Sequence, residues 1–232
     1  MAIRIVDVTD DATFRLLPPC ADPGFDHRSC DYWEEADRGS KAARASWLPG
    51  AAVPPPAAAS SRSRNPFGDD AEDEPAFNPF APAPKRGPAV PTDSPPKLRL
   101  LGRGLGVFGS YAKVLLDDDE PAGYAQFGPL SAYPRALRTR ELYPRLPVSP
   151  LPATITCIAT TRAARDHGLA AMLVEAVCDD LAGRGFAAIE TYPEVGARED
   201  ATSAATPAFW ERLGFVVAAP DERFPVMRRE LA

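Results

Sequence analysis

TITCIATTRAARDHGLAAMLVEAVCDDLAGRGFAAIET, residues 154–191, strings together a strand, a basic turn, a helix and a second strand. Thr154 to Thr160 is a β-branched run and reads as a central strand. From Gly168 to Arg184 the apolar residues Leu169, Met172, Leu173, Ala176, Val177 and Leu181 recur at helical spacing and form one face. Gly185 follows as a left-handed terminator. Phe186 to Thr191 reads as the next strand. The turn between strand and helix, Arg165-Asp166-His167-Gly168-Leu169-Ala170, is where chemistry is expected. A helix N-terminus offers unpaired N–H groups and a partial positive charge, which suit a phosphate. Gly168 lets a bulky pyrophosphate approach the backbone, and Arg165 adds a fixed positive charge.

Working outward from this run, Pro207 to Leu213 predicts a short helix with proline in its first turn. Gly214-Phe215-Val216-Val217 begins another strand, and Val226 to Leu231 adds a last one. Upstream, Gly106 to Leu116 reads as a strand. The acidic turn Asp117-Asp118-Asp119-Glu120 closes a hairpin onto Ala122 to Phe127. Residues 128–150 hold five prolines and read as a long loop. At the N-terminus Ile3 to Val8 alternates like a strand, and Asp10 and Asp11 cap a short helix through Leu17. Residues 28–35 mix aromatics and charge and are expected to fold onto the main body.

Proline is the strongest compositional signal: 13 of 27 fall between Pro49 and Lys97, in a stretch rich in Ala, Ser, Asp and Glu. Such a stretch cannot bury enough apolar area to offset its ordering entropy. The expected organisation is an N-terminal strand and helix at 1–48, a disordered insertion at 49–97 and a main domain at 98–232.

A net charge of −6 and a pI of 5.1 argue against nucleic acid as a partner. No apolar run reaches membrane-spanning length, and the N-terminus turns acidic too early for a signal peptide, so a cytoplasmic location is expected. Cys157 and Cys178 read as buried thiols. Cys20, Cys30 and His27 together would need a fourth ligand to hold a metal, and no metal is expected.

The triad Arg165, Gly168 and Ala170 resembles the acetyl-CoA signature of the GNAT superfamily, Gln/Arg-x-x-Gly-x-Gly/Ala. Phe209-Trp210-Glu211-Arg212-Leu213-Gly214-Phe215 is similar to that family's aromatic-x-x-Leu-Gly-Phe segment. Cys30-Asp31-Tyr32-Trp33-Glu34 ahead of the domain resembles the layout of actinobacterial-type members. The resemblance covers roughly 107–231 plus the strand at 3–8. It implies an α+β fold with a mixed, mostly antiparallel central sheet flanked by helices.

The resemblance also implies acetyl-CoA as co-substrate. Its pantetheine arm would run along Ile158, Ala159 and Thr160, with its phosphates against Arg165, Asp166, His167, Gly168, Leu169 and Ala170. The implied reaction is direct attack of a primary amine on the thioester, using proximity, an oxyanion donor, a base and an acid. Glu190 is the candidate base, with Glu194 a further one, and Tyr192 is the candidate acid; the loop tyrosines Tyr133 and Tyr143 could also supply a proton. Trp210 occupies the position where many members carry an acid tyrosine, and its indole could hold the sulfur but not protonate it. No glutamate lies on the strand 154–160, a second departure. Tyr32, Trp33 and Glu34 are candidates to line the acceptor pocket. The acceptor is a small-molecule or peptide amine, and the chain a monomer or homodimer. The competing readings are an acyl-CoA-binding regulatory module without turnover, and a scaffold that recruits partners through 49–97.

Overall fold

The structure is a computed structural model, and it describes residues 2–19, 26–34, 90–195 and 205–231. The expected insertion at 49–97 lies outside the described residues up to position 89, as does Cys20.

Seven strands form one sheet in the order β1-β2-β3-β4-β5-β7-β6. They are β1 (Ile3–Asp7), β2 (Ala112–Asp117), β3 (Glu120–Pro129), β4 (Ala153–Thr160), β5 (Ala188–Thr191), β6 (Val216–Ala219) and β7 (Val226–Glu230). Only β4 and β5 run parallel; every other pair is antiparallel. Helix α4 (Leu169–Gly183) supplies the crossover that a parallel pair requires. This is the mixed, mostly antiparallel α+β sheet expected from the sequence.

The sheet separates two cores. On one face α4 and α5 (Pro207–Glu211) pack through Leu173, Val177, Leu181 and Trp210 against Ile155, Ile158, Ile189 and Met227. On the other face lie α1 (Asp11–Phe14), α2 (Pro96–Gly102), α3 (Pro134–Glu141) and the segment 26–34, burying Phe14, Leu98, Leu101, Ala136, Tyr32 and Trp33. Lys113 of β2 ties the edge together, 2.6 Å from Asp7 and 2.7 Å from Asp180 on α4.

Local chemistry explains the joints. Asp10 caps α1 in a capping box with Thr13. Asp118 and Asp119 take φ of 47° and 71°, the left-handed pair that a two-residue hairpin needs. Gly185, at φ 86°, lets Phe186 N–H return to Leu181 O at 3.1 Å and close α4. Gly214, at φ 77°, does the same after α5 and turns Phe215 back onto Trp210, ring centroids 4.9 Å apart.

Three expectations differ from the structure. The stretch 128–150 is not one long loop, because α3 forms within it. Pro134 sits in the first turn of α3, where its missing N–H costs nothing. The boundary at 97 falls inside α2, and Lys97 is buried at 3% exposure, so the ordered body reaches back past the expected end of the insertion. The strand expected from Gly106 begins at Ala112, because residues 103–108 form turns. Among the described residues no helix is long and apolar enough to cross a membrane.

Candidate functional site

The parallel β4–β5 ladder is two residue pairs long, Ala153 with Ile189 and Thr154 with Glu190. Beyond it the strands part. The chain after β5 stays with the β6–β7 side, where Val195 N–H donates to Arg223 O at 2.7 Å. Beyond Thr154, β4 has a strand neighbour only in β3 among the described residues. Thr156 is an extra residue in that ladder, since Gln126 pairs with Cys157 and Phe127 with Ile155. Such a bulge kinks the strand and re-aims its side chains. The result is a wedge-shaped opening in the middle of the sheet, with the turn 161–168 at its end.

That turn begins with a 3-10 segment, Arg162–Ala164. Asp166 at φ 64° and Gly168 at φ 74° then curl the chain into α4. Gly168 is the N-cap, no side chain caps the helix, and no acid lies in its first turn. A Cβ built on Gly168 meets nothing within 4 Å. The first-turn N–H groups of a 15-residue helix therefore face open space with their partial positive charge. Arg165 is half-buried, and no carboxylate of the described residues pairs with it. Ile158, Ala159 and Leu169 send their side chains into the core, so a ligand could use only their backbone groups. Thr160 and Ala170 are half-buried, and Asp166, His167 and Gly168 are exposed.

The candidate catalytic residues sit on the opposite face. Glu190 is fully buried and its oxygens are engaged: Arg140 Nε donates at 2.9 Å, Arg228 Nη1 at 2.9 Å and Tyr192 Oη at 2.9 Å. This is an ion-pair hub joining α3, β5 and β7. Burial, and then the adjacent Glu190, pushes the Tyr192 phenol well above its ordinary pKa, so it keeps its proton. Glu194 is half-buried and paired with Arg223 at 3.0 Å. Tyr133 Oη donates to Phe127 O, and Tyr143 Oη to Phe224 O, each at 2.7 Å.

Trp210 lies away from this cluster. It has no exposure, packs edge-on against Phe209 and Phe215, and donates Nε1–H to Ala205 O at 3.0 Å. The indole N–H expected to hold the thioester sulfur is spent on the backbone, because α5 turns that ring into the core.

Sequence reasoning missed a buried polar cluster at the bulge. Lys97 Nζ lies 2.9 Å from both Glu34 Oε1 and Gln126 Oε1, and Gln126 Nε2 donates to Glu34 Oε1 at 2.7 Å. Next to it His27 Nε2 lies 4.0 Å from Cys157 Sγ, with Nδ1–H donating to Pro18 O at 3.1 Å. His27 stacks on Tyr124 at 4.8 Å. Burial lowers the His27 pKa to about 4, so the ring is neutral at pH 7. Two signals pointed to this cluster: Gln126 is a lone polar residue in the apolar run Tyr124–Phe127, and Lys97 stands immediately before Leu98. Among the described residues no group of three ligands could hold a metal.

Similarity to known proteins bears on the same region. The profile of the acetyltransferase (GNAT) family matches residues 83–215, more than half of the chain. No curated protein matches. Among solved structures, the PaiA N-acetyltransferase from Thermoplasma acidophilum, in complex with coenzyme A, is 11% identical, with 99% of each chain covered and a TM-score of 0.48. The ribosomal-protein-S18-alanine N-acetyltransferase from Escherichia coli is 19% identical, covering 52% of this chain and 68% of that one, TM-score 0.35. Ard1 from Thermoplasma volcanium is 15% identical, covering 53% and 72%, TM-score 0.37. The family match includes the opening between β4 and β5 and the turn into α4, and by it the chain belongs to the GNAT acetyltransferase family.

Proposed function

We propose that the protein moves an acetyl group from acetyl-CoA to a primary amine, by direct attack of the amine nitrogen on the thioester carbon. The observation that carries this reading is the uncapped N-terminus of α4 at Gly168, at the end of the turn that follows β4, where an added Cβ meets nothing within 4 Å. The residues present fit the co-substrate. Backbone groups of Ile158, Ala159 and Thr160 offer strand-like pairing to an amide-bearing arm along the edge that β5 leaves. The N–H groups from Asp166 to Ala170 offer donors to a pyrophosphate, and Arg165 supplies a charge that no carboxylate of the described residues neutralises. Acetyl-CoA brings an activated acyl group, and holding it beside the amine removes most of the entropic barrier.

Tyr192 keeps its proton and stands where β5 leaves β4; it is our candidate donor to the departing sulfur, for which its O–H must turn from Glu190 Oε2, 2.9 Å away. Glu190, with its oxygens taken by two arginines and by Tyr192, orients that phenol rather than collecting a proton from the amine. Trp210 fills the core under α4 and α5.

A second reading, a binding module without turnover, draws on the fact that Glu190 and Trp210 are both engaged by internal partners. One assay separates the two. Free thiol release from acetyl-CoA is followed with a panel of primary amines. Amine-dependent release supports the transferase. CoA binding without release under any amine supports the module.

A further inference from the structure

The segment Tyr32–Glu34 lies outside the family match, yet it sits on the sheet face opposite α4 and reaches both sides of the opening. On the β3–β4 side, Glu34 is held through Gln126, whose register partner on β4 is Cys157. On the β5 side, the Trp33 ring lies 6.3 Å from Tyr192. The segment therefore spans the point where β4 and β5 separate.

Buried polar atoms of this region without a hydrogen-bond partner include Glu34 Oε2, Trp33 Nε1, Thr154 Oγ1 and Thr191 Oγ1. The Glu34 side chain is 7% exposed, Trp33 7% and Thr154 0%. Thr154 is the last β4 residue paired with β5, opposite Glu190. Buried polar atoms are ordinarily satisfied, and an unpartnered one is a place where a water, an ion or a ligand group can bind. Glu34 Oε2 can only accept and Trp33 Nε1 can only donate. The two residues are neighbours in the chain, and the Trp33 ring stands edge to face with Tyr32 at 5.2 Å, whose own face carries Arg135 at 4.2 Å. A carboxylate with aromatic faces selects an ammonium. Lys97, 2.9 Å from Oε1, balances the single charge of Glu34 and leaves Oε2 as an open acceptor that a second ammonium would share.

Resting on the transferase reading above, we propose that Glu34 Oε2, with Trp33, binds the acceptor as an organic cation. The acceptor class is then an alkylamine or a lysine-like side chain. Amines carrying a carboxylate beside the nitrogen are repelled by Glu34. The net charge of −6 favours the same class.

Cadaverine serves as the probe, titrated by calorimetry into the full chain saturated with CoA. Glutamate and 1-pentanol are titrated in parallel. The expected result is saturable cadaverine binding and no heat from the other two. The double variant Glu34→Gln/Lys97→Met removes the buried pair together, so neither charge is left alone. It should weaken cadaverine at least tenfold while CoA affinity and melting temperature stay close to the parent. Unchanged cadaverine affinity in a variant that still binds CoA overturns the proposal and leaves the acetyl-CoA reading standing. Equal binding of glutamate by the parent protein overturns it too, and does so even where the variant fails to fold. A parent protein that binds no CoA overturns both.

Discussion

Arg140 on α3 reaches across to β5 and donates from Nε to Glu190 Oε2 at 2.9 Å, with Glu190 fully buried. Arg228 approaches the other oxygen at 2.9 Å. One carboxylate thus bridges two guanidiniums, of which Arg228 is also paired with Glu230 at 2.7 Å, and α3 is pinned to β5.

Glu190→Gln leaves Arg140 facing a neutral amide and Arg228 with Glu230 alone. Removing one member of a buried pair costs about 3–5 kcal/mol. A large fall in the denaturant midpoint is therefore expected, with CoA affinity within about twofold of the parent, a change of roughly 0.4 kcal/mol. A stable Glu190→Gln protein that loses turnover by about a hundredfold, as for a lost acid or base, would return Glu190 to the role of base.

Lys97→Met alone strips the cation from Glu34 and leaves a buried carboxylate with only the Gln126 amide. Destabilisation of about 3–5 kcal/mol is expected by the same reasoning. Combining it with Glu34→Gln should recover much of the loss. A double-mutant cycle in urea measures this, and additivity of the two effects would show that the pair is not coupled.

His27 has a folded-state pKa of about 4, below the ordinary 6.5, because burial disfavours its charged form. The unfolded chain then binds the extra proton. His27 disfavours folding as pH falls from about 6.5 towards 4, by about 1.4 kcal/mol per unit, and has no effect above that window. His27→Gln should flatten the stability–pH curve over this range relative to the parent. Parallel curves would place the ring in water.

Trp210→Phe should keep turnover within about tenfold of the parent, short of the hundredfold or more expected for a lost catalytic group. It should cost stability, since Ala205 O loses its donor and the core loses volume. Thermal melting and thiol release on the same preparation read both effects. A melting temperature like the parent's with turnover lost would put the indole at the thioester.

Most of the sheet was legible because its signals are local. The β-branched run at Thr154–Thr160, the helical face ending at Gly185 and the acidic turn at Asp118-Asp119 each announce an element by composition and spacing. The turn at Arg165–Ala170 was legible for the same reason, as a short contiguous motif. The short length of the β4–β5 ladder and the Thr156 bulge were not legible, since they depend on pairing with distant strands. Proline density misled twice, at Pro134 and Pro96, because proline in a helix's first turn and proline in a loop look alike in composition. The Lys97–Gln126–Glu34 cluster joins three segments far apart in the chain, and no spacing in one segment encodes it.

On the proposed reading, acetyl-CoA is held by the uncapped N-terminus of α4. Gly168→Asn tests it most directly. Asparagine tolerates the φ of 74° better than other residues with a side chain, and its side chain would enter the open space over the first turn. Calorimetric titration of CoA should show binding to the parent chain and at least tenfold weaker binding to Gly168→Asn, with melting temperatures within a few degrees. Equal CoA affinity in the two proteins, or no binding by the parent, would contradict the account.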